Sequence, residues 1–410
     1  MRNDVIRART KDTPDAAALV ARREVSAALA LLADRDADTI ADQCALAAIP
    51  APSGEEAERA RFVTDRLVEA GQSAVEQDEV GNVVAWHACA DPTLPPILLA
   101  AHLDTVFPAT VEHRVRREGA RLIAPGIVDN ARGLAGMLAL ARALAAVRIR
   151  TVQPLVLIAT VGEEGAGDLR GVKHLFAEGQ PWRGAAAFLA LDGGGRHRIV
   201  HRAVGSRRLR VEVSGPGGHS WADRGTANPL HAVGHAIAAL LGDAPATNGA
   251  ITVARSGGGE SVNAVPARAW MELDLRSESA DELADMERRV RARVGRAVRR
   301  ESAARRAGTQ PLVLSVDVFG DRPCGTTRTD AFLVRAAEDA TRQLGLVPEL
   351  IASSTDANVP MALGIPAIAL GAGGESGGTH TTGEWYANEG GPEGLQRALL
   401  VVLAVAGIAR

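Results

Sequence analysis

The sequence predicts an α/β protein: a mixed, largely parallel sheet flanked by helices, with a smaller α+β domain inserted into it. Three observations carry that expectation. Short, wholly apolar runs alternate with helical stretches, as strands buried on both faces do. Between about 204 and 315 the rhythm changes to period-two alternation, which suits a sheet with one face open to water. At 410 residues the chain is long for one core, so two domains are expected: 1–203 with 316–410, and an insert at 204–315.

Residues 14–70 have Ala, Leu, Arg and Glu at helical spacing, broken by "PAPSGEE" at 50–56. Ser53, with Glu56 three residues on, reads as a capping box for the helix that follows. The runs "PPILLAAHLDT" (95–105), "PLVLIATVG" (154–162), "AAAFLALDGG" (185–194) and "IPAIALGAGG" (365–374) read as strands, and "ARGLAGMLALARALAAV" (131–147) as a helix. In the insert, "SRRLRVEVSG" and "AWMELDLRSE" alternate, and "NPLHAVGHAIAALL" is helical, giving β-α-β-β-α-β material. The arginine-rich stretch 287–306 keeps Val290, Val294 and Val298 every four residues. A solvated helix with an apolar stripe explains it better than an RNA-binding surface, because no aromatic stacking residues accompany the arginines.

Composition narrows the function. Net charge is −3 with the signs mixed, and arginine outnumbers lysine 44 to 2, so no electrostatic case exists for nucleic acid or membrane. Cys44, Cys89 and Cys324 form no paired motif, which suits reducing surroundings. The N-terminal stretch has no signal-type apolar segment, and "LLVVLAVAGIA" (399–409) is short of the roughly 20 residues that span a bilayer. A cytoplasmic, soluble protein is expected.

The chemistry-bearing residues gather at strand ends, where open α/β sheets bind ligands. His102 and Asp104, two apart in "AAHLDT", suit a metal-ligating imidazole with a carboxylate to orient it. Asp129 lies in "APGIVDNARG", Glu163 and Glu164 close the strand run "LVLIATVG", Asp192 follows in "LALDGGG", and His380 sits in "GGESGGTHTTGEW". Nitrogen and oxygen donors without thiolates suit zinc, manganese or cobalt, and their number suffices for two ions. Two other motifs fail on context. "GESGG" (374–378) lacks the following helix that a nucleophile elbow needs, so Ser376 is a poor nucleophile. "GAGDLRG" (165–171) has one residue too many for a dinucleotide fingerprint.

In order, "HLD", "GIVDNARG", "TVGEEGAGD", "LDGG" and "GGTH" resemble the co-catalytic metallohydrolases typified by aminoacylase, glutamate carboxypeptidase and peptidase T. The resemblance covers nearly the whole chain, and "SSTDANVPMALGIP" (353–366) leans toward the peptidase T-like branch. It implies that His102 and Asp192 hold one metal, Glu164 and His380 the other, with Asp129 bridging and Asp104 orienting His102. Glu163 would take a proton from the attacking water and deliver it to the leaving nitrogen. The insert would act as a lid and dimerisation domain. Its His219, in "GPGGHSWAD", would reach a partner subunit's site to stabilise the oxyanion, so a homodimer or larger homo-oligomer is implied. Asn263 in "SVNAVP" and Arg276 in "LDLRSE" would hold the substrate's carboxylate.

The expected activity is therefore metal-dependent hydrolysis of a C–N bond, peptide or N-acyl amide, in a small carboxylate-bearing substrate. The same family extends to amidines, ureides and the amine of a nitroanthranilate-type aromatic acid. A non-catalytic scaffold relative is the third alternative, and the complete set of seven residues argues against it.

Overall fold

The computed structural model describes residues 15–241 and 249–410; residues 1–14, on which the expectation for the N-terminus rests, lie outside them. The chain forms two units. One runs to Ala203 and resumes at Gly325, and the other is Val204–Cys324.

Among the described residues, the first unit opens with helices Ala16–Val20, Arg23–Asp34, Asp36–Ala48 and Ala57–Glu69. Its strands are β1 (Ser73–Gln77), β2 (Val83–His87), β3 (Ile97–His102), β4 (Arg116–Glu118), β5 (Arg121–Ile123), β6 (Leu155–Thr160), β7 (Ala187–Leu191) and β8 (Arg198–Ala203). The second unit contributes β9 (Gly205–Ser214), β10 (Gly218–His219), β11 (Gly249–Gly258), β12 (Ala264–Val265), β13 (Arg268–Ser277) and β14 (Val313–Arg322). The first unit then resumes with β15 (Gly325–Thr326), β16 (Glu349–Ser353), β17 (Ala367–Leu370), β18 (Glu375–Gly377) and β19 (Trp385–Ala387).

A nine-stranded sheet organises the first unit in the order β1-β2-β6-β3-β7-β17-β8-β15, with β16 on β8. Its middle, β6-β3-β7-β17, is parallel throughout. These four strands are wholly buried because both faces are covered. Leu99 and Leu157 pack into the core that contains helices Ala131–Ala146 and Gly391–Ala406. Leu98 and Val156 pack on the other face with helix Arg170–Leu175. The last apolar run is thus part of a core helix. From β3 the chain crosses to β6 on one side, and from β6 to β7 on the other, so the connections diverge at the carboxyl end of β3.

The second unit is a four-stranded antiparallel sheet, order β11-β13-β9-β14, packed with helices Pro229–Leu241 and Ala280–Ala303. Val290, Val294 and Val298 are buried in that core. Arg288 and Arg291 stay outside, paired with Asp285 and Glu287, as a solvated helix face should be. The unit reaches Cys324, beyond the 315 expected, because β14 pairs with β9 from Val313 to Arg322. The proposed capping box does not form. Glu56 occupies the N-cap of helix Ala57–Glu69 with no side-chain cap, and Ser53 turns toward Asp104 instead.

Candidate metal centre

Three neighbouring parallel strands aim their carboxyl ends at one place. β3 ends at His102 and leads to Asp104, β6 leads through Gly162 to Glu163 and Glu164, and β7 leads to Asp192. Gly162 adopts φ +64°, a left-handed turn that releases the chain from the strand. Asp129 stands before helix Ala131–Ala146, which Asn130 caps by accepting from the Gly133 N–H at 3.1 Å. The Asn130 amide also donates to the Leu191 carbonyl at 2.9 Å, fastening the Asp129 loop to the strand end that carries Asp192. His380 projects from the β18–β19 hairpin, and its own φ is +65°.

These residues form two triads sharing Asp129. In each, the potential ligand atoms lie within 4.8 Å of one another: His102, Asp129 and Asp192 in one, Asp129, Glu164 and His380 in the other. Asp129 Oδ1 faces the first, 3.0 Å from His102 Nε2, and Asp129 Oδ2 faces the second, 3.2 Å from His380 Nε2. Asp192 Oδ1 is 3.9 Å from His102 Nε2, and Glu164 Oε1 is 3.1 Å from His380 Nε2. Glu163 is buried, and it groups with His102 and Glu164.

Behind them, Asp104 has more than one task. Its carbonyl oxygen lies 3.1 Å from His102 Nδ1, while its carboxylate stands at 3.6 Å from that nitrogen. The carboxylate accepts the backbone N–H groups of Glu163 and Glu164 at 2.8 and 2.9 Å, and the Ser53 hydroxyl at 2.5 Å. One buried carboxylate therefore ties down the backbone of both adjacent glutamates. Fully buried Arg59 lies close enough to feel the Asp104 charge, and donates to the Leu103 carbonyl at 2.8 Å.

The electrostatics call for positive charge. Burial and the neighbouring Asp129 push Asp192 up to about 7. Burial also works against the charged Asp129, yet the two imidazoles beside it hold its carboxyl far below the usual range. Asp129 and Glu164 raise His380 to about 10. Burial opposes protonation of His102, but Asp104 and Asp129 carry it well above 6.5. Asp129 Oδ1 is buried and makes no aligned hydrogen bond among the described residues, despite its nearness to His102. Two N/O triads sharing a carboxylate, with an orphaned oxygen on the shared one, fit a pair of divalent cations.

Several residues at the centre have no prominent sequence signal. Glu384 is fully buried and accepts the N–H groups of Val128 and Asp129. Burial is the main reason its carboxyl is pushed up to about 7. Thr160, at the end of β6, donates to buried Asp356 at 2.5 Å.

The remaining expected residues belong to the second unit. His219 and Asn263 come together on the β10–β12 ribbon, where His219 pairs with Ala264. The N–H groups of Trp221 and Ala222 lie 3.2 and 3.3 Å from His219 Nδ1. Nδ1 is thereby the acceptor, which leaves Nε2 as the N–H donor of the neutral ring. Asn263 Oδ1 accepts from Ser261. Arg276 lies apart from them on β13, half-buried and paired with Asp274 at 2.7 Å. Ser376 lies in β18 and is followed by β19, not by a helix.

The sequence matches the family described as peptidase family M20/M25/M40 over residues 98–405. No curated protein matches it in sequence. Among solved structures it is similar to aminopeptidase PepT from Bacillus cereus, at 22% identity and TM-score 0.68 over 90% of this chain and 97% of that one. A dinuclear metal-binding peptidase from Bacillus subtilis aligns at 17% identity and TM-score 0.65, over 91% and 99%. A hydantoinase/carbamoylase family amidase from Burkholderia ambifaria aligns at 21% and 0.61, over 92% and 98%. At these identities the structural likeness speaks to the fold.

Proposed function

The chain belongs to the peptidase family M20/M25/M40, hydrolases of C–N bonds, and on that premise we propose that it cleaves a peptide or N-acyl amide in a small carboxylate-bearing substrate. The observation that carries this is the pair of triads sharing Asp129 with Glu163 beside them. His102 and Asp192 would hold one ion, Glu164 and His380 the other, and Asp129 both. Zinc, manganese or cobalt suits these donors. Bound there, such ions supply Lewis acidity and lower the pKa of water.

Glu163 takes the proton that water loses as its oxygen bonds to the substrate's carbonyl carbon. It returns that proton to the nitrogen as the C–N bond breaks, leaving a carboxylic acid and an amine. Asp104 keeps Glu163 and Glu164 in place through their backbone N–H groups. His219, with its proton on Nε2, is the donor for the developing oxyanion, supplied to a partner subunit's site in a homodimer. Asn263 and Arg276 receive the substrate carboxylate. A reducing cytoplasm suits the three free cysteines.

The test is a panel of dipeptides, tripeptides, N-acyl amino acids, ureides and aromatic amino acids with manganese-loaded enzyme, read by released amine or ammonia. Turnover of an amide, abolished by a chelator and restored by manganese, is expected. Bound metal without turnover across the panel overturns the proposal, and release of ammonia from an aromatic amine alone redirects it to an aminohydrolase.

A further inference from the structure

The β18–β19 hairpin holds two site residues four positions apart, and only His380 belongs to a triad. Glu384 is the other, and it is wholly buried. Its Oε1 accepts the Val128 N–H at 2.7 Å and the Asp129 N–H at 2.9 Å. Its Oε2 is buried with no hydrogen-bond partner among the described residues. Burying a carboxyl group is costly, and two backbone N–H groups on one oxygen offset only part of that cost. A half-satisfied buried acid at this position is better explained by the site than by stability.

We infer that Glu384 is a positioning residue for the shared carboxylate. From the hairpin that carries His380 it fixes the backbone of Val128 and Asp129, and so sets how Asp129 meets both triads. The inference rests on the assignment of Asp129 as bridging ligand.

The geometry around Glu384 supports a rigid link. The Glu384 N–H donates to the Thr381 carbonyl at 3.0 Å, within the turn that presents His380. Its carbonyl accepts from the Ala124 N–H at 3.1 Å, and the next residue, Trp385, pairs with Ile123 in the β19–β5 ladder. Backbone thus ties the hairpin to the start of the Asp129 loop, and the Glu384 side chain ties it to the end. Between them, Gly126 adopts φ +68°, and a Cβ there would meet Thr105 Cγ2 at 2.7 Å. The loop has little room to find another path. Groups that orient ligands from behind typically change metal affinity by about 10- to 100-fold when removed.

The experiment compares full-length wild type with Glu384→Ala, Glu384→Asp and Glu384→Gln. Manganese affinity and stoichiometry are measured by titration calorimetry, melting temperature on the metal-free proteins, and kcat and KM on the best substrate of the panel. Glu384→Ala should weaken manganese binding about 10- to 100-fold and lower kcat more than it raises KM. Glu384→Asp, too short to reach both N–H groups, should follow it. Glu384→Gln keeps an acceptor oxygen and should recover most of the loss. If the alanine variant fails to fold, the contrast between Asp and Gln carries the test. Two manganese ions at wild-type affinity in a folded Glu384→Ala or Glu384→Asp variant overturn the inference. A melting-temperature loss with unchanged affinity also overturns it, since that is a purely structural role. Wild type that binds no manganese would instead overturn the proposed function, so the two failures are distinct.

Discussion

The two units hold their candidate residues in different ways. In the larger unit, His102, Asp104, Glu163 and Glu164 are buried, and each is held by groups that are themselves buried. In the smaller unit, His219 and Asn263 are exposed and Arg276 is half-buried, and their side chains are engaged by short-range hydrogen bonds and one ion pair. The larger unit by itself carries both candidate triads, and the energetic cost of crowding carboxylates falls there. If His219, Asn263 and Arg276 meet substrate and transition state as proposed, their effects should appear in turnover and KM and not in metal content.

The largest expected break in that contrast is Glu163→Gln. It should lower kcat by roughly 10²- to 10⁴-fold, as loss of a general acid–base does, while metal content stays at the wild-type level. Comparable kcat in this variant would remove Glu163 from the chemistry.

His219→Ala comes next, at about 10²- to 10³-fold in kcat, the usual effect of deleting an oxyanion donor. Metal binding and the larger unit's stability should not change. Mixing His219→Ala with Glu163→Gln subunits should restore activity, because a mixed dimer would hold one site with both residues intact. Absence of recovery after proven subunit exchange would place His219 with its own chain's site.

Arg276→Ala should act mainly on KM, raising it about tenfold with a smaller change in kcat, consistent with loss of a hydrogen bond to a charged group. Asp274 already engages one edge of the guanidinium, so only the rest of the fork is available. A wild-type KM for carboxylate-bearing substrates would reduce Arg276 to a partner of Asp274.

The contrast also explains what could be read in the sequence. Strands β3, β6, β7 and β17 were legible because burial on both faces writes an unbroken apolar run, and the acids and histidines follow at the ends. The expected boundary at 315 cuts through the strand "VLSVDVFGDR", since alternation shows a strand but not which sheet it joins. Glu384 was hidden because its partners are backbone N–H groups 255 and 256 residues away. Backbone donors leave no mark in residue identity. Ser53 was misread for a related reason. The S-x-x-E spacing is a local signal, and the acceptor that captures the hydroxyl, Asp104, is 51 residues distant.

Ser53→Ala carries the smallest expected effect and separates those two roles of the hydroxyl. Loss of a helix cap would lower stability by about 1 kcal/mol and leave catalysis alone. The structure gives the helix no side-chain cap, and sets the hydroxyl 2.5 Å from Asp104 Oδ2 and 3.2 Å from the Glu164 carbonyl. Removing it leaves Asp104 with the two N–H groups of Glu163 and Glu164 and should loosen the proposed ligand and the proposed base together. A net hydrogen-bond contribution of about 1 kcal/mol then appears as a roughly fivefold drop in kcat/KM. Melting temperature of the metal-free protein should hardly move. A stability loss with unaltered kcat/KM would return Ser53 to the helix, and detach the Glu163–Glu164 turn from the segment that precedes helix Ala57–Glu69.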